Sequence, residues 1–507
     1  MRHPILCCAL LFSLSAALLP AQNANRPVPP GVPPYEFVAY DTSYHGCYLT
    51  TPFRLNGLGN VPVPALVLDE QGYLLWYMLV NARNLLDFKY HPPSERFQYV
   101  RFRGPQQVRY MLMDAGMNHV DSFTTVNGAA PDVHDFQISR NQTYLLAGAK
   151  DSVMNLSGYL FNGQPGSATT TAVGFVVQEF DAAGQLLFEW NSNDHIHPGA
   201  VYVGYPYNAA AFDYCHGNTI EEDTDGHLLL SFRNLNAVYK IDRQTGAVRW
   251  QLGGKTSDFT FTNDPGFSGQ HDVRRLPNGN LALFDNGNQS AQPQESRAVE
   301  YQIDTVSWTA TRVWEYRYTP RVFSPAMGGH QTTAERLHLI NYGLVFRPAP
   351  TAVLVDDAGQ LLSEIRLRDS FMSYRTYLLD LPLAQAPRPP ISCSRPGGQL
   401  TLSAPMDYSR FRWSTGDTTA SIAVTAAGSY QLWVPHGAGW LGSEPVLIDD
   451  PATACGASPV FEPDLDAPPQ ALRYFDLLGR EIPLPAQPDG RWYVAQRADG
   501  RRQLKWW

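Results

Sequence analysis

The sequence is short of positive charge. Lysines and arginines together number 38 in 507 residues, against 47 aspartates and glutamates, and the net charge is −9. A protein that binds nucleic acid over a broad surface neutralises the phosphates with an excess of Lys and Arg. We therefore exclude nucleic acid as a partner, although a small cationic pocket is compatible with the same total.

Helical patterning is also nearly missing. From Tyr35 onward short apolar runs alternate with turns, and the chain contains 40 glycines, 40 prolines and 12% aromatic residues. This texture indicates an all-β fold. A glycine-rich phosphate loop of the usual forms is absent as well. We accordingly expect no cofactor and no metal in the site.

A sustained hydrophobic run occurs at the N-terminus. Ile5–Leu19 is nearly all apolar, and Pro20-Ala21-Gln22 follows it as a processing point. This pattern predicts a signal peptide over residues 1–22. Because the run is too short to span a bilayer comfortably, we expect a mature chain without a transmembrane segment. It would be exported through the periplasm and then be secreted or held at the cell surface.

Cysteine is scarce, with six residues, two of them inside the N-terminal apolar run. An exported chain meets an oxidising compartment, where disulfides persist. Cys393 and Cys455 bracket one segment of the sequence, and we predict a disulfide between them. Cys47 and Cys215 are free or paired, and sequence alone does not decide which.

A repeat organises residues 35–385. Each of six units ends in a hairpin around Asp-x-x-Gly or a close relative, as in Asp69-Glu-Gln-Gly72, and the next strand often carries a tryptophan. Complete units contain four strands. Four-stranded sheets repeated six times predict a six-bladed β-propeller. A two-sheet sandwich does not predict so regular a period of turns and tryptophans.

Histidines open four successive units, the third to the sixth. They are His134, His216, His271 and His330. In a propeller the first strand of each blade lines the central channel, so we expect these side chains to converge at one mouth of the channel. Arg233 and Asn286 end the second strands of adjacent units and are expected to face the same space.

The repeat of short strands and turns ends near residue 385, where a Pro-rich linker begins. Residues 391–456 contain Trp413 and short alternating strands, which suggest a small immunoglobulin-like β-sandwich. A second Pro-rich linker leads to residues 470–507, a short β-rich module that ends in cationic residues.

Two resemblances follow from particular segments. The repeat region resembles the bacterial arylsulfate sulfotransferase family, which moves sulfuryl groups between phenols without a nucleotide donor. The matching segments are Asp213-Tyr-Cys-His216-Gly-Asn218, Leu230-Ser-Phe-Arg233, Leu252-Gly-Gly254, Gln270-His271-Asp272 and Phe284-Asp-Asn-Gly287. The tail resembles the sorting domain of type IX secretion cargo through YFDLLGRE and RRQLK, and such cargo often carries immunoglobulin-like spacers. This second resemblance implies that the tail engages the secretion machinery.

The family resemblance implies roles for single residues. His271 matches the catalytic histidine that is transiently sulfurylated, and Arg233 matches the family arginine. His216 and Asn218 match the His and Asn that bind the sulfuryl group, and His134 most closely matches a further active-site histidine. The large periplasmic members carry an N-terminal β-domain, whereas little precedes the first unit here, and Gly217 follows His216.

These residue types suit sulfuryl transfer from a small aryl sulfate to a phenol. A neutral imidazole can attack sulfur and hold the group covalently, which divides one difficult step into two. Arg233 offers a permanent charge and a planar fork of donors for sulfuryl oxygens. Asn218, Asn286 and His330 could add donors to the substrate, and His134 or His216 could serve as general base and acid.

Two other functions stay open at this stage. Three neutral histidines could bind a transition metal and drive hydrolysis, although the fixed cation of Arg233 argues against it. A non-catalytic propeller could instead bind glycans or surface ligands at the channel mouth. Metal analysis would test the first alternative, and binding without turnover would support the second.

Overall fold

The computed structural model describes residues 25–55, 62–104, 106–202 and 204–455, together with the backbone of four strands between residues 472 and 506. The predicted signal peptide lies outside the described residues. Within them the fold is all-β. Helical structure is limited here to short 3-10 turns, at Pro92–Ser94, Ser192–Asp194, Pro198–Ala200, Arg233–Leu235, Pro382–Gln385 and Pro396–Gly398. No helix in this part of the chain has the length and apolar character needed to cross a membrane.

Short strands separated by turns fill residues 35–379. In chain order they are β1 (Tyr35–Ala39), β2 (Cys47–Phe53), β3 (Val63–Leu68), β4 (Leu74–Val80), β5 (Asn84–His91), β6 (Arg96–Phe102), β7 (Val108–Met113), β8 (His119–Phe123), β9 (Ala130–Ile138), β10 (Tyr144–Met154), β11 (Leu160–Phe161), β12 (Gln164–Pro165), β13 (Thr170–Phe180), β14 (Leu186–Asn191), β15 (Gly217–Glu222), β16 (Leu228–Phe232), β17 (Ala237–Ile241), β18 (Val248–Gly253), β19 (Thr260–Phe261), β20 (His271–Arg275), β21 (Leu281–Asp285), β22 (Arg297–Asp304), β23 (Thr309–Tyr316), β24 (Gly329–Thr332), β25 (His338–Asn341), β26 (Ala352–Val355), β27 (Leu361–Leu367) and β28 (Met372–Leu379).

These strands form successive antiparallel meanders. The sheets have the orders β28-β2-β3-β4, β5-β6-β7-β8, β9-β10-β13-β14, β15-β16-β17-β18, β20-β21-β22-β23 and β24-β25-β26-β27-β1, numbered here as the first to the sixth sheet. The short β19 adds to the outer edge of the fifth sheet, and β11 pairs with β12 inside the long β10–β13 excursion.

The innermost strands form a closed ring. β28, β5, β9, β15, β20 and β24 contact one another in this order, and β24 contacts β28 again. Strands remote in sequence close the ring, because β28 pairs with β2 in the first sheet and β1 pairs with β27 in the sixth. The fold is therefore propeller-like, and its core consists of apolar layers between neighbouring sheets, such as the one between the third and fourth sheets.

The recurring tryptophans and turns join neighbouring sheets. Trp190 on β14 donates its indole N–H to the carbonyl of Gly246 in the fourth sheet at 2.9 Å. Trp314 on β23 does the same to Asp357 in the sixth sheet at 3.0 Å. A buried indole N–H requires an acceptor, and a turn carbonyl of the next sheet supplies it. In these two sheets the turn and the tryptophan act together to join neighbouring sheets. Trp76 instead donates to the carbonyl of His436 in the C-terminal segment.

Five of the six innermost strands carry a bulge on the side that pairs with the second strand of the sheet. The register breaks opposite Thr51, Tyr99, Ala147, between Gly217 and Thr219, and between His271 and Arg274. β24 in the sixth sheet pairs regularly. A bulge leaves residues outside the ladder and re-aims their side chains, and here it turns polar groups toward the interior of the ring.

The C-terminal segment continues the first sheet. Its strands are β29 (Ser392–Ser394), β30 (Thr401–Ser403), β31 (Arg412–Trp413), β32 (Ser421–Ala423), β33 (Gly428–Tyr430), β34 (Leu432–His436), β35 (Gly439–Gly442) and β36 (Val446–Ile448). β35 pairs with the edge strand β4, which extends that sheet to the order β28-β2-β3-β4-β35-β34-β31. β29-β30-β32 and β33-β36 form two further small sheets.

The cysteines fall into two groups. Cys393 and Cys455 form a disulfide with a Cα–Cα distance of 6.0 Å, whereas Cys47 and Cys215 are buried free thiols. In the tail, the strands β37 (Leu472–Phe475), β38 (Glu481–Ile482), β39 (Trp492–Arg497) and β40 (Arg502–Trp506) form a sheet of order β38-β37-β39-β40. Much of the predicted sorting module, including part of YFDLLGRE, lies outside the described residues.

Candidate active site

His271 begins β20 with its imidazole almost fully buried. Its Nδ1 lies 2.7 Å from Oδ1 of Asn286 and 3.0 Å from the carbonyl of Gly269. The Asn286 amide is fixed in this orientation because its Nδ2 donates to the carbonyls of Ser324 at 2.8 Å and Met327 at 2.9 Å. Two acceptors at Nδ1 place the proton there, so Nε2 presents a lone pair.

The surroundings of His271 keep it neutral. Burial lowers the pKa of His271 well below its ordinary value, and the nearby charges of Arg233, His134 and His216 lower it further, against a hydrogen bond to Asn286 that raises it. The backbone N–H of Met327 donates to Nε2 at 3.3 Å, a long contact that an incoming substrate can replace. His271 therefore has the protonation state and tautomer of a nucleophile.

Two histidine–aspartate pairs lie beside it. Nδ1 of His134 is 2.6 Å from Oδ1 of Asp132, and Nδ1 of His216 is 2.5 Å from Oδ2 of Asp213. The two imidazole rings meet edge to face with centroids 4.8 Å apart. Each carboxylate holds the Nδ1 proton of its own histidine, and each Nε2 is left to act on a ligand.

The pair on β9 favours a charged imidazole. Burial opposes the charge on His134, but the Asp132 carboxylate, through its charge and its hydrogen bond, raises the pKa of His134 above the ordinary value. Burial likewise opposes the charge on Asp132, and its pKa is nevertheless lowered by His134. The protonated His134 can therefore donate a proton where the neutral His271 cannot.

Arg233 supplies a fixed positive charge next to these histidines. Its backbone N–H donates to the carbonyl of His216 at 3.0 Å. Its guanidinium donates to Oδ1 of Asn234 at 3.0 Å and to the carbonyl of Pro325 at 3.1 Å, and lies 5.3 Å from the ring centroid of Tyr205. The buried Nε has no partner in the described residues, which leaves a donor for an anionic ligand.

Asn218 and Asn286 support the site. Asn218 is buried, and its Nδ2 donates to the carbonyl of Gln270 at 2.7 Å. Its amide thus joins β15 to the residue before His271. Its role as a donor to the substrate stays a prediction from the sequence. Asn286 acts through His271, whose tautomer it fixes.

A buried ionic network lies beneath the histidines. Arg375 contacts Asp87 at 2.9 Å, Asp135 at 3.3 Å and Asp272 at 3.2 Å, and donates to the Asn218 carbonyl at 2.7 Å. Lys89 and Arg274 complete it. These residues come from the bulged inner strands and fix the positions of the strands that carry His216 and His271.

His330 lies apart from this cluster. It stacks on Trp314 with ring centroids 5.2 Å apart, and its Nε2 is 3.0 Å from Nδ1 of His338. Burial and the charge of His338 lower the pKa of His330 to about 3. Its strand β24 lacks the bulge found in the other inner strands, so the side chain enters the layer between the fifth and sixth sheets.

Sequence reasoning missed Asp132, Asp213 and Tyr374. The two aspartates precede their histidines by two and three residues, a spacing that was visible in the chain. Both carboxylates and both histidines also line a small cavity of about 70 Å³, together with Phe175 and other residues. No sequence signal marked Tyr374, which lies on β28, the last strand of the ring in chain order.

The described residues contain no group of three or more His, Cys, Asp or Glu side chains placed to hold a metal ion. The two carboxylates are used in orienting imidazoles, and Arg233 places a cation beside them. The donor set therefore does not fit a metal centre.

Comparison with known proteins gives a family and a set of distant structural likenesses. A family model described as Arylsulfotransferase (ASST) matches residues 60–353, more than half of the chain. No curated protein matches the chain.

Solved structures resemble the chain weakly. A protein of unknown function from Bacteroides caccae is 10% identical, with 66% of this chain and 99% of that chain covered and a TM-score of 0.40. The periplasmic gluconolactonase PpgL from Pseudomonas aeruginosa is 13% identical, with 67% and 100% covered and a TM-score of 0.38. A catalytically inactive virginiamycin B lyase from Staphylococcus aureus is 10% identical, with 66% and 99% covered and a TM-score of 0.31. We draw no functional conclusion from them.

Proposed function

The chain belongs to the arylsulfotransferase family, and from this premise we propose that it moves a sulfuryl group from a phenolic sulfate ester to a phenol through a sulfurylated His271. The observation that carries the proposal is the pairing of opposite protonation states. A buried neutral imidazole, whose Nε2 lone pair accepts only a long contact from the Met327 N–H, lies beside Arg233 and beside His134, whose pKa is raised. Nucleophilic transfer needs all three functions in one place.

In the first half of the reaction, Nε2 of His271 attacks the sulfur of the donor ester. The N–S bond forms as the S–O bond to the aryl group breaks, and the leaving phenolate takes the Nε2 proton of His134. The product is a sulfurylated His271, a free phenol and a neutral His134. Because Asp132 keeps Nδ1 of His134 hydrogen-bonded, the ring stays oriented through the proton transfer.

Charge on the three sulfuryl oxygens is neutralised by fixed donors. Arg233 contributes its unpaired Nε–H and its charge. The ring of His216, oriented by Asp213, lines the same site. Donors that are held in position before the reaction cost no reorganisation in the transition state. A phenol acceptor then reverses the sequence: it gives its proton to neutral His134, attacks sulfur and releases His271. This gives a ping-pong mechanism without a cofactor.

We further propose that the ring of sheets over residues 35–385 is a six-bladed β-propeller with this site at one mouth of its channel. The proposal is supported by the cyclic contacts of the inner strands. We also propose, from the sequence, that residues 1–22 direct export. In the same proposal, residues 391–456 are an immunoglobulin-like spacer, and residues 470–507 are a type IX sorting domain that brings the protein to the cell surface or the medium.

The first test is release of 4-nitrophenol from 4-nitrophenyl sulfate by the mature chain, with and without added phenol. We expect phenol to stimulate release, and His271→Ala to reduce it by at least about 1000-fold, since a nucleophile is removed. Mass spectrometry after incubation with donor alone should find the sulfuryl group on the His271 peptide.

His45→Ala changes an exposed histidine and serves as the matched control, with activity expected to be unchanged. Release that persists in His271→Ala would contradict the nucleophile assignment. Release that is indifferent to phenol would indicate hydrolysis. Binding of aryl sulfates without any turnover would favour the non-catalytic propeller.

A further inference from the structure

Tyr374 carries a buried hydroxyl with no partner. The residue is 3% exposed, and its Oη makes no hydrogen bond within the described residues. Other buried tyrosines near the ring interior are satisfied: Tyr377 donates to Asp87 at 2.6 Å, and Tyr110 donates to the Asp132 carbonyl at 2.8 Å. An unpaired polar group in the interior is destabilising, so this one calls for an explanation.

The position of Tyr374 connects it to the site. It lies in the bulge of β28, and its ring meets that of His134 edge to face with centroids 6.0 Å apart. It packs in one apolar cluster with Met327, the residue whose N–H contacts Nε2 of His271. Its own carbonyl accepts from the N–H of Gly328 at 3.2 Å. Tyr374 thus spans the distance between His134 and the loop that covers His271.

Its electrostatic setting makes it a donor. Burial raises the pKa of Tyr374 far above the ordinary value, against the lowering effect of Arg375. The Arg375 guanidinium lies 4.9 Å from the ring centroid. The hydroxyl therefore stays protonated at every working pH and can donate a hydrogen bond to an acceptor that enters the site.

Shape alone does not require the hydroxyl. A phenylalanine would keep the ring contacts with His134 and Met327 and would remove the unpaired group. The ligand of this site, by contrast, brings three sulfuryl oxygens and one ester oxygen, and Arg233 offers them a second buried donor without a partner, its Nε. Tyr374 lies against His134, Arg233 is hydrogen-bonded to the His216 backbone, and the two imidazoles contact each other. Two buried donors without a partner in the described residues thus adjoin the same pair of histidines, as an oxyanion ligand requires.

We propose that the Tyr374 hydroxyl donates a hydrogen bond to an oxygen of the bound aryl sulfate and, with Arg233, completes the binding site of the sulfuryl group. This inference rests on the proposed sulfuryl transfer. It makes Tyr374 a catalytic residue, one that touches substrate, and assigns the site a preference for tetrahedral oxyanion esters over neutral phenols.

The decisive variant is Tyr374→Phe in the full mature chain. We expect kcat with 4-nitrophenyl sulfate to fall by about 10- to 100-fold, as for loss of one preorganised donor. The melting temperature of the ligand-free protein should stay the same or rise, because an unsatisfied hydroxyl has been removed. A structural role predicts the opposite change in melting temperature. Tyr342 is another buried tyrosine whose hydroxyl has no partner in the described residues, and its ring contacts Phe284 and not an imidazole of the site. Tyr342→Phe is therefore the matched control and should leave kcat unchanged.

Unchanged kcat in Tyr374→Phe would overturn the inference, as would a fall in kcat together with a lower melting temperature. The binding of inorganic sulfate, measured by calorimetry, tests the inference without requiring turnover. If the wild type releases no phenol from any donor, the proposed function fails. Even then, weaker sulfate binding in Tyr374→Phe than in wild type would support the inference, and equal binding would overturn it.

Discussion

At the scale of single residues, the surroundings of each ring nitrogen decide what a histidine does. His271 and His330 are both buried and both have a lowered pKa. His271 has two acceptors at Nδ1 and a long contact from the Met327 N–H at Nε2, whereas Nε2 of His330 lies 3.0 Å from Nδ1 of His338. The repeat places the two histidines in equivalent positions in the sequence, but only His271 lies beside Arg233, His134 and His216.

The carboxylate behind His134 sets the pH range of the first half-reaction. His134 must be protonated to act as general acid, so kcat/KM for the donor should fall as pH rises through its raised pKa. In Asp132→Asn the stabilising charge is lost, the pKa of His134 falls, and this basic limb should move to lower pH. The measurement is a pH profile of kcat/KM with 4-nitrophenyl sulfate.

Asp304→Asn, at the end of β22, controls for the loss of one negative charge and should leave the profile unmoved. A basic limb at the same pH in Asp132→Asn would show that His134 is not the acid. Because burial lowers the pKa of His271, the acidic limb is expected well below the ordinary histidine value in all of these variants.

At the scale of secondary-structure elements, the bulged inner strands determine the site. Asp87 and Asp272 in these strands, and His216 directly before β15, adopt left-handed backbone conformations, with φ of 57°, 55° and 49°. Such conformations are uncommon for residues other than glycine, and they accompany side chains turned out of the regular ladder. The polar interior of the ring is thus a product of local irregularity in each strand.

We expect Arg375→Met to destabilise the protein by about 3–5 kcal/mol, because three buried carboxylates lose their shared partner. Arg249 pairs with Asp242 on the surface with 47% of its side chain exposed, and Arg249→Ala should cost less than about 1 kcal/mol. Urea denaturation compares the two. Similar small losses in both variants would mean that water or a rearranged Lys89 replaces the Arg375 charge.

The repeat of turns and tryptophans was sufficient to predict an all-β chain of four-stranded units, since period and turn chemistry are local properties. It did not predict the bulges, which appear in the sequence as ordinary residues between apolar runs. The roles of Asp132 and Asp213 were missed for a related reason. Each aspartate can hold its histidine only when the backbone turns the imidazole toward the carboxylate, and the sequence does not show that geometry. The pairing of β35 with β4 joins residues more than 350 positions apart, and no local pattern specifies it.

At the scale of the whole molecule, the C-terminal segment covers an edge. Gln431 and Trp433 both donate to the Leu74 carbonyl, at 3.0 and 3.1 Å, and Gly439 lies against the ring of Trp76. Without this segment β4 would present unpaired backbone groups and a large indole to solvent, a template for association with other chains.

A chain that ends at residue 385 should therefore have a lower melting temperature than the mature protein and should aggregate on concentration, as measured by differential scanning fluorimetry and light scattering. A chain that ends at residue 455 keeps β35 and the disulfide, and should behave like the mature protein. If the shorter chain were as stable and as monomeric as the longer one, the added strands would be dispensable to the ring.

The closure of the ring by β28 has a consequence for the order of events during synthesis. The innermost strand of the first sheet is made after residue 371, when the partner strand β2 has already been in existence for more than 300 residues. Pairings so remote in sequence form slowly, and every earlier chain length leaves the first sheet without its inner strand. The ring thus stays open until β28 has been made, and whatever lies at its centre is assembled last.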